Sequence, residues 1–142
     1  WWTAEDAKRF EERAQVMVNF FDSIQVLPGL KANGSLTLGE NIADHGGLQV
    51  SFQAFKNATN DAPLPVKDGF TPEQRFFLSY AGVWAGNIRD AQIRLQPKSA
   101  PHSLGRWRVN GALPQLGAWD DAFGIKEGDP MYLAPEKRVS IW

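Results

Sequence analysis

Apolar residues recur at helical spacing through the first part of the chain. Phe10, Ala14, Met17, Phe21 and Ile24 share one face. Ahead of them, Thr3-Ala4-Glu5-Asp6 has the form of a capped helix start, with Thr3 as N-cap and acids in the first turn. Pro28-Gly29 is expected to end this helix. Gly34-Ser35 reads as a turn. A second helix is predicted over about 38–58, with Ile42, Leu48, Phe52 and Phe55 among its apolar positions. Gly46-Gly47 inside it costs roughly 1 kcal/mol per glycine relative to alanine, which points to close packing or a kink.

Residues 57–69, rich in Pro, Asn and Asp, read as a loop. Thr71-Pro72-Glu73-Gln74 is the cleanest start signal in the chain: an N-cap threonine, proline at the first helical position and glutamine at the capping-box position. Phe76, Phe77, Tyr80, Val83, Trp84 and Ile88 follow on one broad face, which predicts a buried helix. From Pro97 onward, Pro and Gly punctuate the chain every few residues. Two short helices, about 103–111 and 116–123, and a loop-like tail to Trp142 are expected there. No segment sustains period-two alternation and no repeat is present, so the fold class is mostly α.

Composition narrows the function classes. At 142 residues with 43% hydrophobic and 12% aromatic content, the chain is the size of one domain and can build a core. A net charge of -1 with interspersed signs gives no electrostatic footprint for nucleic acid. No apolar run approaches the ~20 residues of a membrane helix. There is no cysteine, which excludes disulfides and thiolate metal sites without fixing a compartment. The chain opens Trp1-Trp2-Thr3 without an initiator Met and reads as a fragment or processed piece.

Candidate chemistry concentrates in two stretches. In Gly39-Glu40-Asn41-Ile42-Ala43-Asp44-His45-Gly46-Gly47, the acids Glu40 and Asp44 fall on one helical face, where like charges repel. A bound metal with a cationic or histidine partner would compensate them; two solvated acids on a helix surface are the commoner outcome for such a pair. His45 beside them reads as a surface or packing histidine. The second stretch is Pro101-His102-Ser103-Leu104-Gly105-Arg106-Trp107-Arg108. A histidine and an arginine near a helix start can stabilise an oxyanion and hold a substrate carbonyl or carboxylate, and they can equally be exposed neighbours of a capping Ser103. Only His45 and His102 are histidines, and no His-Glu-x-x-His zinc motif occurs. Trp84, Trp107, Trp119 and Trp142 read as packing residues, since sugar-binding tryptophan rows normally belong to β-sandwiches.

Taken in order along the whole chain, these segments resemble the C-terminal part of the neprilysin family of zinc metallopeptidases. The resemblance rests on Trp1-Trp2-Thr3, Leu38 through Leu48 with its Glu-Asn-Ile-Ala-Asp core, Val83-Trp84, His102-Ser103 with Gly105 and Arg108, and Asn110-Gly111. Phe123, Gly128 through Tyr132, Pro135-Glu136-Lys137 and Trp142 complete it. It implies the C-terminal helical part of a thermolysin-like (zincin, gluzincin) catalytic domain over 1–142. It implies Zn2+ as cofactor, with Glu40 as the third zinc ligand and Asp44 as the acid that orients a zinc-binding histidine. His102 would stabilise the tetrahedral intermediate and Arg108 would bind the substrate backbone. Val83 and Trp84 would line a primed-side pocket for large apolar side chains.

The same resemblance places the family's His-Glu-x-x-His upstream of residue 1, so two zinc ligands and the general base lie outside this chain. The isolated chain is therefore expected to be inactive. Its expected partners are peptide substrates, the missing N-terminal part of the same enzyme and a second copy through the exposed apolar face. A split two-chain peptidase and a non-catalytic binding module are the alternatives. Val16, Ala85, Ile125 and Val139 stand where the animal enzymes carry cysteines, which implies a bacterial-type member; Ser140-Ile141 departs from the usual basic tail. The family suggests a cell-surface, periplasmic or secreted location, with a bacterial cytoplasmic one also compatible.

Overall fold

The computed structural model describes residues 1–60 and 62–141. Six helices dominate: α1 (Ala4–Ser23), α2 (Gly34–Thr59), α3 (Pro72–Val83), α4 (Asp90–Ser99), α5 (Gly105–Asn110) and α6 (Gly117–Phe123). Two short strands, β1 (Gln25–Leu27) and β2 (Leu30–Lys31), form an antiparallel hairpin between α1 and α2.

The capped starts form as their side chains dictate. Thr3 and Asp6 exchange side chain–backbone hydrogen bonds at the head of α1, and Thr71 and Gln74 do so at the head of α3. Helix α1 buries Ala14, Met17, Val18 and Phe21. It stops at Ser23, and Ile24 becomes its C-cap, because the chain turns into the hairpin there. Pro28-Gly29 makes the hairpin turn, with Gly29 at φ 73°, where glycine carries no steric cost.

Helix α2 begins earlier than its apolar pattern indicates. Asn33 caps it by accepting from the Leu36 amide at 2.9 Å, so Gly34-Ser35 is the first turn and not a loop. Gly34 is where α2 crosses α1: a Cβ there would sit 2.3 Å from the Val18 carbonyl oxygen. Only glycine permits that approach.

Two apolar clusters form the core, and α2 runs through both. Ala14, Met17, Phe21, Ile24, Ile42 and Val139 make the first; Leu48, Phe77, Ala112, Leu113 and Leu116 make the second. The stretch of α2 between Ile42 and Leu48 is thus fixed at both ends.

Helix α3 differs from the expected buried, longer element. It ends at Val83, and Phe77 is its one buried residue. Val83 and Ile88 are exposed at 71% and 44%. Phe76 and Phe77 pack on Phe52 and Phe77 also meets Trp119 of α6, while Leu78 and Val83 are exposed. Helix α4 has no sequence start signal, since Arg89 occupies its N-cap without a side-chain cap, and Pro97 sits in its last turn. The tail is packed: Gln115 accepts from the Val139 amide at 2.9 Å, and Arg138 bonds the Leu133 carbonyl and pairs with Asp120. Trp107 packs against the first cluster and Trp119 against the second; Trp142 lies outside the described residues.

Candidate active site

Glu40 and Asp44 face outward from α2 one turn apart, and the compensation that their like charge requires comes from the second sequence stretch. Arg108, on α5, grips Asp44 with a two-point fork: Nε donates to Oδ2 at 2.7 Å and Nη2 to Oδ1 at 2.6 Å. The same Nη2 lies 3.8 Å from Glu40 Oε2. His102 Nε2 lies 3.2 Å from that Glu40 oxygen. Four side chains distant in sequence therefore converge.

The two acids stand in different surroundings. Asp44 and Arg108 side chains keep only 11% and 13% exposure, whereas Glu40 and His102 keep 40% and 52%. The Asp44 hydrogen bonds, ahead of a smaller opposing effect of burial, raise the Arg108 pKa above its ordinary value, so this guanidinium is permanently charged. Trp84, the C-cap of α3, stacks on it with the guanidinium carbon 3.9 Å from the ring centroid. Tyr80 anchors the backbone behind, donating its hydroxyl to the Arg108 carbonyl at 3.0 Å. Burial and then the Asp44 charge push the Tyr80 pKa up to about 12, so it stays a donor.

Arg108 Nη1 has no protein acceptor among the described residues, because Asp44 uses Nε and Nη2. That leaves Nη1 as the donor of this guanidinium not taken up by Asp44. Of the expected site residues, Glu40, Asp44, His102, Arg108 and Trp84 come together. Val83 stands apart from Trp84: it lines an open groove of about 420 Å3 with Leu48, Phe55, Leu64, Phe76 and Tyr80, in which Trp84 takes no part. Adjacent helical residues point about 100° apart, which explains the split.

His45 lies outside this group. It is fully buried, and neither ring nitrogen has a hydrogen-bond partner. Burial lowers its pKa; the Val139 backbone faces the ring and offsets this in part, though short of hydrogen-bond geometry. Two contributors escaped the sequence reading, Tyr80 as an anchor and Asn41 with Ser103 as a buried link. Their one signal was adjacency: Asn41 follows Glu40, and Ser103 follows His102.

Comparisons with known proteins bear on the chain as a whole. The model of peptidase family M13 matches residues 1–139. The chain is 35% identical to neprilysin-1 of Caenorhabditis elegans and 34% identical to human neprilysin, with all of this chain and 19% of each relative covered. Among solved structures, the zinc metalloprotease Zmp1 of Mycobacterium tuberculosis in complex with an inhibitor superposes with a TM-score of 0.93 at 33% identity, covering 100% of this chain and 22% of that one. PepO from Lactobacillus rhamnosis superposes at 0.81 and 32%, with 21% of its chain covered. The chain thus spans about a fifth of the length of these relatives.

Proposed function

Because this chain belongs to peptidase family M13, we infer that it supplies one wall of the active site of a zinc-dependent endopeptidase. The convergence of Glu40, Asp44, His102 and Arg108 around one face of α2 carries this reading.

Zinc suits Glu40 as a single ligand. Its carboxylate is part-exposed and held only by His102 and the edge of Arg108. Among the described residues no cluster of three or more His, Asp or Glu is fit to hold a metal, and on this reading the remaining ligands come from elsewhere in the enzyme. When bound, zinc supplies the Lewis acid that polarises the scissile carbonyl and activates water. The residues of this chain do the rest. Arg108 offers Nη1 to a substrate backbone carbonyl on the primed side, its direction fixed by Asp44 and Trp84. Asp44, its oxygens engaged by Arg108, keeps spare lone pairs with which to orient a zinc-binding histidine. His102 donates to the oxyanion as negative charge develops. Trp84, beside the Arg108 guanidinium, presents apolar surface to a large primed-side side chain, while Val83 faces a separate groove.

The test is hydrolysis of a quenched fluorescent oligopeptide with phenylalanine after the cleaved bond, by the protein that carries this chain. Cleavage is expected, and a chelator should abolish it. The isolated 142-residue chain should be inactive and bind zinc weakly. Stoichiometric submicromolar zinc binding by that chain alone, or chelator-resistant cleavage by the whole protein, would overturn the reading.

A further inference from the structure

Glu40 and His102 are too exposed to hold each other in place. A polar contact that keeps about half of both side chains in solvent contributes little, and its geometry wanders. Yet they sit 3.2 Å apart on different elements, α2 and the turn before α5. Something more rigid must set that distance, and the buried polar chain beside them is built to do so.

Asn41, Thr37 and Ser103 are 2%, 3% and 8% exposed. Ser103 Oγ bonds Asn41 Oδ1 at 2.8 Å, and Asn41 Nδ2 donates to Thr37 Oγ1 at 2.9 Å. Thr37 Oγ1 donates in turn to the Asn33 carbonyl at 2.8 Å. The direction of every bond follows from the last. Because Thr37 spends its one proton on the carbonyl, its oxygen must accept, which presents the Asn41 amide nitrogen to it. Asn41 Oδ1 is then left facing Ser103, which can only donate. No alternative orientation satisfies all three groups, so the network holds one geometry. A second tether, Gln96 Nε2 to the His102 carbonyl at 3.0 Å, fixes the other side of the turn but is exposed.

We propose that Asn41 and Ser103 are positioning residues of the peptidase site: their buried hydrogen bond locks the His102 turn onto α2 and so sets His102 against Glu40. The proposal rests on the peptidase reading above. Glu40 stays fixed by α2 when the link is cut, so metal retention survives while His102 loses its aim. The loss therefore falls on turnover, the step that His102 serves, and spares substrate binding.

The experiment compares Ser103→Ala and Ser103→Thr with the parent, in the zinc-loaded protein that carries this chain. Three readouts are kinetics on the fluorescent peptide, zinc content and hydrogen exchange over 100–106. Ser103→Ala should lower kcat on the order of tenfold or more with KM little changed. It should keep its zinc and exchange faster over 100–106. Ser103→Thr, which keeps the hydroxyl, should recover most of the turnover. Parent-like kcat for Ser103→Ala overturns the proposal, and so does unaltered exchange. Joint loss of zinc, KM and kcat would mark a merely structural role, as would failure of Ser103→Thr to recover turnover. A parent that cleaves no peptide refutes the proposed function instead; the exchange comparison then still decides whether the bond holds the turn.

Discussion

Removing the Arg108 side chain tests the central claim about this site, that Asp44 is held by a buried fork and not by solvent. In Arg108→Met, the apolar stem remains and the guanidinium is lost. Asp44 then keeps a charge at 11% exposure with no cation on it. Breaking a buried pair from one side costs ~3–5 kcal/mol, and the residual solvent contact places this case near ~3. Loss of the stack on Trp84, at 3.9 Å, adds ~1 kcal/mol. The expected destabilisation is therefore about 4 kcal/mol, a large share of a domain's ~5–15.

Removing both charges should cost less than removing one. In Arg108→Met with Asp44→Leu, no charge is stranded, and replacement of a buried pair by apolar groups is commonly near neutral. The double-mutant coupling should reach about 2–3 kcal/mol. Arg108→Lys should fall between, because an ammonium keeps the charge but neither the fork nor the stack. Tyr80 bonds the backbone of residue 108, so that anchor persists in every variant. Urea midpoints with unchanged m-values in the protein carrying this chain measure these differences. Additivity within ~0.5 kcal/mol would refute the buried-fork account, as would an Arg108→Met protein as stable as its parent.

Glu40→Gln should strip zinc from the whole enzyme at little cost in stability, since the side chain is 40% exposed; metal content by mass spectrometry decides it. His45 should make stability depend on pH. Burial lowers its folded pKa below the ordinary 6.5, so below that value the unfolded chain binds the extra proton. Stability is then fully present above pH 6.5 and falls as pH drops towards the folded pKa. His45→Leu should flatten that slope, and equal slopes in urea midpoints across the range in which histidine titrates would contradict the account. Gly34→Ala and Gly47→Ala should move stability in opposite directions. The first forces Cβ onto the Val18 carbonyl and should cost ~1–3 kcal/mol, whereas the second meets nothing within 4 Å and should gain up to ~1 kcal/mol in thermal unfolding.

The elements legible in the sequence are those whose ends carry their own chemistry. Thr3 with Asp6 and Thr71 with Gln74 announce α1 and α3 because the cap bonds are local. The start of α2 was misread because Gly34 looks like a turn residue, while its actual reason is contact with Val18, a tertiary fact. The hairpin is too short to show alternation, and α4 lacks a side-chain N-cap. The site followed the same division. Glu40 and Asp44 show as a pair because a helix face is periodic, and their need for compensation, by a metal with a cationic or histidine partner, is readable there. That His102 and Arg108 meet it depends on the fold bringing α5 against α2. The Asn41–Ser103 link shows in the sequence only as adjacency to Glu40 and His102, since an amide and a hydroxyl make no pattern until their burial is known.

The same two acids also separate by role on physical grounds alone. Both project from one face of α2, so helix periodicity makes them equivalent. Burial and hydrogen bonding then divide them. Asp44 has a charged donor on each oxygen and little contact with solvent, so a metal there would have to displace a two-point bond to a permanent cation. Glu40 meets only an exposed histidine and the margin of the same guanidinium, and exchanging those for a divalent ion costs far less. Of the pair, Glu40 is thus the residue able to give itself to a metal, and Asp44 the one suited to hold other side chains still.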